Sequence, residues 1–317
     1  MASKSQVALI FPGQGCQSVG MGADLYASSP EARAVFDQAD QVLDFQVSKL
    51  CLEGPQEILN DTANTQPAIY TTTMAIWAAL ENKIDREQVA CVAGHSLGEF
   101  SALAVAGAID FEEGLRLVRR RGEAMRDAGT TAPGGMAAII GLSDEVVAEL
   151  VAEANQGGEP RVWIANYNSP GQVVIAGENE ALGRAVELAK ERKARRAIPL
   201  AVSVACHTPF MEAAAESLAD ALDATTFRAP WVPVVCNADA VPLSDPAAIK
   251  DALLRQLYSP VRWVESIRTM ADQGVTRMIE VGPKTVVSGL VKRIHRPTKL
   301  EGVTDMASLD AFVMGEA

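Results

Sequence analysis

Short uninterrupted apolar runs alternate with stretches whose apolar residues recur every three or four positions. Val7–Phe11 and Val89–Ala93 read as buried strands. Ala68–Leu80 and Phe111 to about Met125 read as helices with an apolar face, and Phe100–Ala106 as a helix packed through small residues. Strands alternating with helices are the habit of an α/β layer fold. A loop-like run, Ala128-Gly129-Thr130-Thr131-Ala132-Pro133-Gly134-Gly135, then interrupts the pattern. Beyond it the chain reads strand (Met136–Ile140), helix (Ser143–Asn155), strand (Val162–Asn166), turn (Ser169-Pro170-Gly171), strand (Gln172–Ala176), helix (Glu178–Arg192), strand (Ala197–Val202). That order, βαββαβ, is a ferredoxin-like unit. It predicts an insert over 129–203 within a discontinuous α/β unit made of 1–128 and 204–317. In the second segment Met211–Leu222, Ile249–Leu257 and Thr285–Ile294 read as helices, and Val232–Cys236 and Met278–Val281 as strands.

Composition narrows the class. With 317 residues, 48% of them hydrophobic, the chain can bury a large core. No uncharged apolar run approaches the roughly 18 residues of a membrane span. The first six residues lead straight into Val7 with no separate apolar leader, and the five cysteines are scattered without a C-x-x-C pair. These features predict a cytoplasmic protein with reduced thiols, no membrane partner and no metal. A net charge of −12 argues against nucleic acid. Basic residues gather at Arg119-Arg120-Arg121, Lys190 to Arg196 and Lys292 to Lys299; each taken alone reads first as a solvated helix face, and Lys190 to Arg196 is the candidate landing surface for an acidic partner.

Gly94-His95-Ser96-Leu97-Gly98 lies between a buried strand and a helix. A serine between two glycines at such a turn has the form of a nucleophile elbow. The turn is tight enough that side chains two positions before and after the serine would collide. The hydroxyl then stands at a helix N-terminus, where backbone N–H groups and the helix dipole favour a developing oxyanion. A serine nucleophile needs a base, and the chain has three histidines. His95 adjoins the serine and would point away from it. His295 sits in the basic stretch Lys292-Arg293-Ile294-His295-Arg296. His207 follows the strand-like Ile198–Val204 and precedes Thr208-Pro209, which places it at a strand end, where α/β sites form. His207 is the favoured base. His295 stays open, because an ordinary α/β hydrolase orders its triad serine, acid, histidine. The Leu97 N–H supplies one oxyanion donor, and the early loop Pro12-Gly13-Gln14-Gly15 is placed to supply a second.

These residues match a known family. Phe11-Pro12-Gly13-Gln14-Gly15, Gln66-Pro67-Ala68, Gly94 to Glu99, Arg121-Gly122, Asn166 to Gly177, His207, Gln256 to Trp263 and Glu280-Val281-Gly282-Pro283 occur in family order. The chain resembles the malonyl-CoA:acyl-carrier-protein transacylases of bacterial fatty acid synthesis and, more distantly, polyketide synthase acyltransferase domains. The resemblance implies an α/β-hydrolase-like core with a parallel sheet and a ferredoxin-like insert. It implies Ser96 as nucleophile, His207 as base, and the backbone N–H groups of Gln14 and Leu97 as oxyanion hole. The Gln256 main-chain carbonyl would orient the histidine, Arg121 would grip the malonyl carboxylate, and Asn168 and Gln66 would lie near the substrate. Malonyl-CoA and an acidic, phosphopantetheinylated acyl carrier protein would be the partners, with no cofactor. Where acyltransferase domains carry His-Ala-Phe or Tyr-Ala-Ser near the catalytic histidine, this chain has Val204-Ala205-Cys206. That departure leaves tolerance for a 2-methyl group open. A trans-acting polyketide acyltransferase, a serine hydrolase and a non-catalytic acyl-carrier-binding subunit are the competing readings.

Overall fold

The structure is a computed structural model that describes residues 6–200, 202 and 204–314. It begins with β1 (Gln6–Phe11), in which every side chain from Val7 to Phe11 is buried, as a central parallel strand covered on both faces requires. Four short helices follow in a stretch to which the apolar pattern assigns no elements: α1 (Ala23–Ser28), α2 (Pro30–Leu43), α3 (Val47–Glu53) and α4 (Gln56–Leu59).

Helix α5 (Thr62–Leu80) starts six residues before the expected Ala68 and contains Pro67. Two local contacts allow this. The Asp61 carboxylate caps the helix by accepting the Ala63 N–H at 2.9 Å. Pro67 cannot donate to the Ala63 carbonyl, and the Arg119 guanidinium bonds that oxygen instead at 2.9 Å. The helix is buried nearly all round, so its apolar positions form no single stripe.

The chain continues through β2 (Val89–Gly94), α6 (Gly98–Val105) and α7 (Phe111–Thr131). α7 absorbs the first part of the expected loop at 128–135. Ala128 and Gly129 are buried, and the Thr130 and Thr131 hydroxyls bond back to the carbonyls of Arg126 and Asp127. Side chains that satisfy the last turn let the helix run on despite loop-like composition.

The next segment forms β3 (Gly134–Ile140), α8 (Asp144–Ala154), β4 (Val162–Ser169), β5 (Gln172–Glu178), α9 (Asn179–Glu191) and β6 (Arg196–Pro199). Its antiparallel sheet has the order β4-β5-β3-β6, and α8 and α9 cover one face. The expected strand through Val202 ends at Pro199; positions 201 and 203 lie outside the described residues.

After α10 (Glu212–Ala224) come β7 (Val234–Val235), β8 (Pro242–Leu243), α11 (Pro246–Gln256), α12 (Trp263–Asp272), β9 (Val275–Val281), α13 (Val287–Ile294), β10 (Lys299–Val303) and α14 (Met306–Ala311). The larger sheet has the order β10-β9-β1-β2-β7-β8, parallel except for the β7–β8 pair. The carboxyl ends of β1 and β2 lie side by side, Phe11 opposite Gly94, and the elbow opens there. No helix among the described residues is long and apolar enough to cross a membrane.

Candidate active site

Ser96 sits at φ 52°, a left-handed conformation that costs a non-glycine residue energy and marks a site held by its surroundings. The flanking glycines make the turn possible. A Cβ on Gly94 would lie 1.9 Å from the Gly98 carbonyl carbon, and one on Gly98 would lie 2.3 Å from the Phe11 oxygen. Asn237, just past β7, clamps the strained turn. Its Oδ1 accepts the Ser96 N–H at 2.6 Å and its Nδ2 donates to the Gly94 carbonyl at 2.7 Å. Ser96 thus stands one residue before Leu97, the N-cap of α6.

His207 meets the serine, with 2.8 Å between its Nε2 and the Ser96 Oγ. Its Nδ1–H donates to the Gln256 main-chain carbonyl at 2.8 Å, which fixes the tautomer and leaves Nε2 to accept the serine proton. The expectation that His207 ends a strand is corrected. The chain leaves the small sheet at Pro199, and His207 lies in a turn at φ 60°, its N–H held by the Leu257 carbonyl at 3.0 Å just past α11. Burial, reinforced by the nearby Arg121 charge, pushes the His207 pKa down to about 3, so the imidazole is neutral at pH 7. His95 turns away from Ser96 as expected. It donates from Nε2 to Asn168 Oδ1 at 2.8 Å and packs edge-on against Trp263. His295 bonds Thr298 and does not line the cavity, which leaves the hydrolase ordering without a base.

Arg121 reaches the same point from α7. It is 2% exposed, and its Nη2 donates to Ser96 Oγ at 3.2 Å and to Gln256 Oε1 at 3.0 Å. Its Nη1 donates to Gln66 Oε1 at 2.7 Å. These acceptors are all neutral, and the buried Nε finds none among the described residues. Burial lowers the Arg121 pKa to about 10, which still leaves it charged at pH 7. A buried charge without a carboxylate in contact is costly and suited to receiving one. Gln66 stands against Arg121 and does not itself line the cavity.

The cavity holds about 360 Å³ and is lined by Ser96, His207, Arg121, Gln14, Leu97 and Asn168 together with apolar side chains of the small sheet and its exit, among them Met136, Val174, Leu200 and Val202. The backbone N–H groups of Gln14 and Leu97 have no acceptor among the described residues, as donors reserved for an oxyanion would. Cys206 also lines it.

Two residues at the site escape sequence reasoning. Asn237 has no signal of its own in the chain. Glu99 does: an acidic residue between the elbow and the apolar run Phe100 to Ala106 is out of place unless something buried needs it. It is 2% exposed, and burial raises its pKa to about 7.

Comparison with known proteins matches residues 8–310 to the acyl transferase domain family. The malonyl CoA-acyl carrier protein transacylase of Salmonella typhimurium is 46% identical over 97% of this chain and 98% of its own length. The protein of that name from Escherichia coli K12 is 48% identical over 92% of this chain and 93% of its own. Among solved structures, an acyl carrier protein S-malonyltransferase from Vibrio cholerae superposes with a TM-score of 0.91 at 48% identity, covering 97% of this chain and 99% of that one. A malonyl-transacylase in complex with its type II polyketide synthase acyl carrier protein gives 0.92 at 44% identity, covering 97% and 98%.

Proposed function

The chain belongs to the malonyl-CoA–acyl carrier protein transacylase family of acyl transferases, and from that premise we propose how its own residues carry out the family's reaction. It is an acyltransferase that moves malonyl from malonyl-CoA to the phosphopantetheine thiol of an acyl carrier protein in fatty acid biosynthesis. Ser96 Oγ attacks the thioester carbonyl while His207 Nε2 takes the serine proton. The N–H groups of Gln14 and Leu97 receive the oxyanion. The coenzyme A thiolate leaves with the proton from His207, and malonyl remains as an ester on Ser96. In the second half the pantetheine thiol gives its proton to His207 and attacks the ester, and Ser96 departs reprotonated. The Gln256 carbonyl orients His207 throughout, and Asn168 fixes the cavity wall through His95. A cytoplasmic location remains part of the reading, in keeping with five unpaired cysteines.

One observation carries the choice of acyl group. Arg121 is a buried guanidinium whose acceptors are all neutral, one of them Ser96 Oγ itself. A malonyl group esterified to Ser96 would bring its free carboxylate beside that charge. Arg121→Ala is expected to cost about 2–5 kcal/mol, roughly 30- to 5,000-fold in kcat/KM for malonyl-CoA. Acetyl transfer, which strands no carboxylate, should suffer less, so the acetyl-to-malonyl ratio rises. An unchanged ratio would remove Arg121 as the anchor.

The carrier needs a basic landing surface, because a chain of net charge −12 repels an acidic partner at long range. The Lys190–Arg196 stretch is a weaker candidate than its composition suggests. Lys190 pairs with Glu187, and Arg192 pairs with Glu149 and Glu153. Lys292, Arg293 and Arg296 instead line a crevice with Pro170, two residues from the cavity-lining Asn168. Paired charge reversal, Lys292→Glu with Arg296→Glu, is expected to raise KM for the carrier and leave KM for malonyl-CoA nearly unchanged. The effect should fade at high salt, since exposed charges are screened over about 10 Å at 0.1 M. Equal effects on both substrates would assign the crevice to the phosphates of coenzyme A.

A further inference from the structure

Glu99 touches neither the cavity nor a cation directly, yet its two partners hold different parts of the machinery. Glu99 Oε2 accepts the Asn237 N–H at 3.1 Å and a proton of Gln256 Nε2 at 2.8 Å. Asn237 clamps the elbow on both sides of His95. Gln256 does three things at once: its carbonyl holds His207, its Nε2 also donates to the Ser96 carbonyl at 3.0 Å, and its Oε1 accepts from Arg121.

We propose that Glu99 is a positioning residue for acyl-group selection, fixing the Gln256 amide with its oxygen toward Arg121 and so aiming the guanidinium at the incoming carboxylate. The number of donors fixes the orientation. A primary amide has two N–H donors and one acceptor oxygen, whereas a guanidinium only donates. With Glu99 and the Ser96 carbonyl both accepting, each Nε2 proton is occupied and Oε1 must face Arg121. Without the Glu99 acceptor the donor end is held only at Ser96. A turned amide would then set N–H against N–H, and Arg121 would lose one of its two amide supports. The other, Gln66, holds Nη1 and leaves Nη2, the nitrogen beside Ser96, unguided. Charged and titratable groups around Glu99 are Arg121 on α7 and Asp239 and Cys236 in the turn after β7; Asp239 is itself paired with Arg255 on α11. None of these supplies a replacement acceptor to Gln256 Nε2.

This inference rests on Arg121 as the carboxylate anchor. The test compares kcat/KM for malonyl and acetyl transfer in the full-length enzyme and in Glu99→Leu, Glu99→Gln and Arg121→Ala. Glu99→Leu leaves two buried donors without an acceptor. It is expected to lower the malonyl-to-acetyl ratio by roughly tenfold or more, with the loss on the malonyl side. Glu99→Gln keeps an acceptor oxygen and should hold the ratio within about threefold of the parent. Should Glu99→Leu fail to fold, Glu99→Asp, which draws the carboxylate back by one methylene, is read in the same way. A merely structural role would depress both acyl groups alike. An equal loss of both, an unchanged ratio, or a loss in Glu99→Gln as deep as in Glu99→Leu would each overturn the proposal. An Arg121→Ala ratio equal to the parent's would instead sink the anchor reading beneath it.

Discussion

Ser96→Ala is expected to transfer malonyl roughly 10⁴- to 10⁶-fold more slowly than the parent and to take up no covalent malonyl. The loss is large because the other groups have nothing to act on. His207 Nε2 has one proton to accept, and it is on Ser96 Oγ at 2.8 Å. The neighbouring nucleophile, Cys206, lines the cavity, but burial pushes its thiol up to about 11, so it stays protonated at pH 7. The check is intact-protein mass after incubation with malonyl-CoA alone, followed by peptide mapping. A malonyl adduct that persists in Ser96→Ala would reassign the nucleophile.

His207→Ala should fall by roughly 10³- to 10⁶-fold, while His295→Ala stays near the parent rate. The unaltered enzyme also carries a signature of this histidine in its pH profile. Burial and the Arg121 charge hold the conjugate acid at about 3, so the base form is populated throughout pH 5 to 8. The acid limb of kcat/KM for malonyl-CoA should therefore lack the loss near 6.5 that an ordinary histidine gives. A clear histidine-type fall there, absent in a His207 variant, would mean that the ring is far better solvated than its 4% exposure indicates.

The parts of this site that sequence reveals are those fixed by local geometry. The elbow is legible because its serine lies between two glycines at a strand-to-helix turn, one of them, Gly94, forced by a contact four residues on, against Gly98. The insert is legible because its strands and helices are continuous in the chain and keep one period each. How His207 is held is not visible in the sequence. Its place depends on the Leu257 carbonyl and on Gln256, both some fifty residues away, and no strand delivers it. For Gln66 a motif match gives nearness to the site without saying how it contacts Arg121. α12 and β10 leave no clear pattern in the sequence because Trp263–Asp272 mixes charge with its apolar positions and Lys299–Val303 is a half-exposed edge strand. α7 outran its apparent stop because two threonine hydroxyls tie its last turn.

The close backbone contacts at the elbow also decide where the enzyme can change. A Cβ on Gly13 would lie 2.3 Å from the His95 oxygen, so three glycines lock that wall main chain to main chain. Another part of the lining is built from the side chains of Met136, Val174, Leu200 and Val202. A bulkier acyl group can gain room here, where side chains can be exchanged one at a time without disturbing the nucleophile's backbone. A library aimed at new extender units belongs at those four positions, away from the elbow, whose glycines have no room for a Cβ.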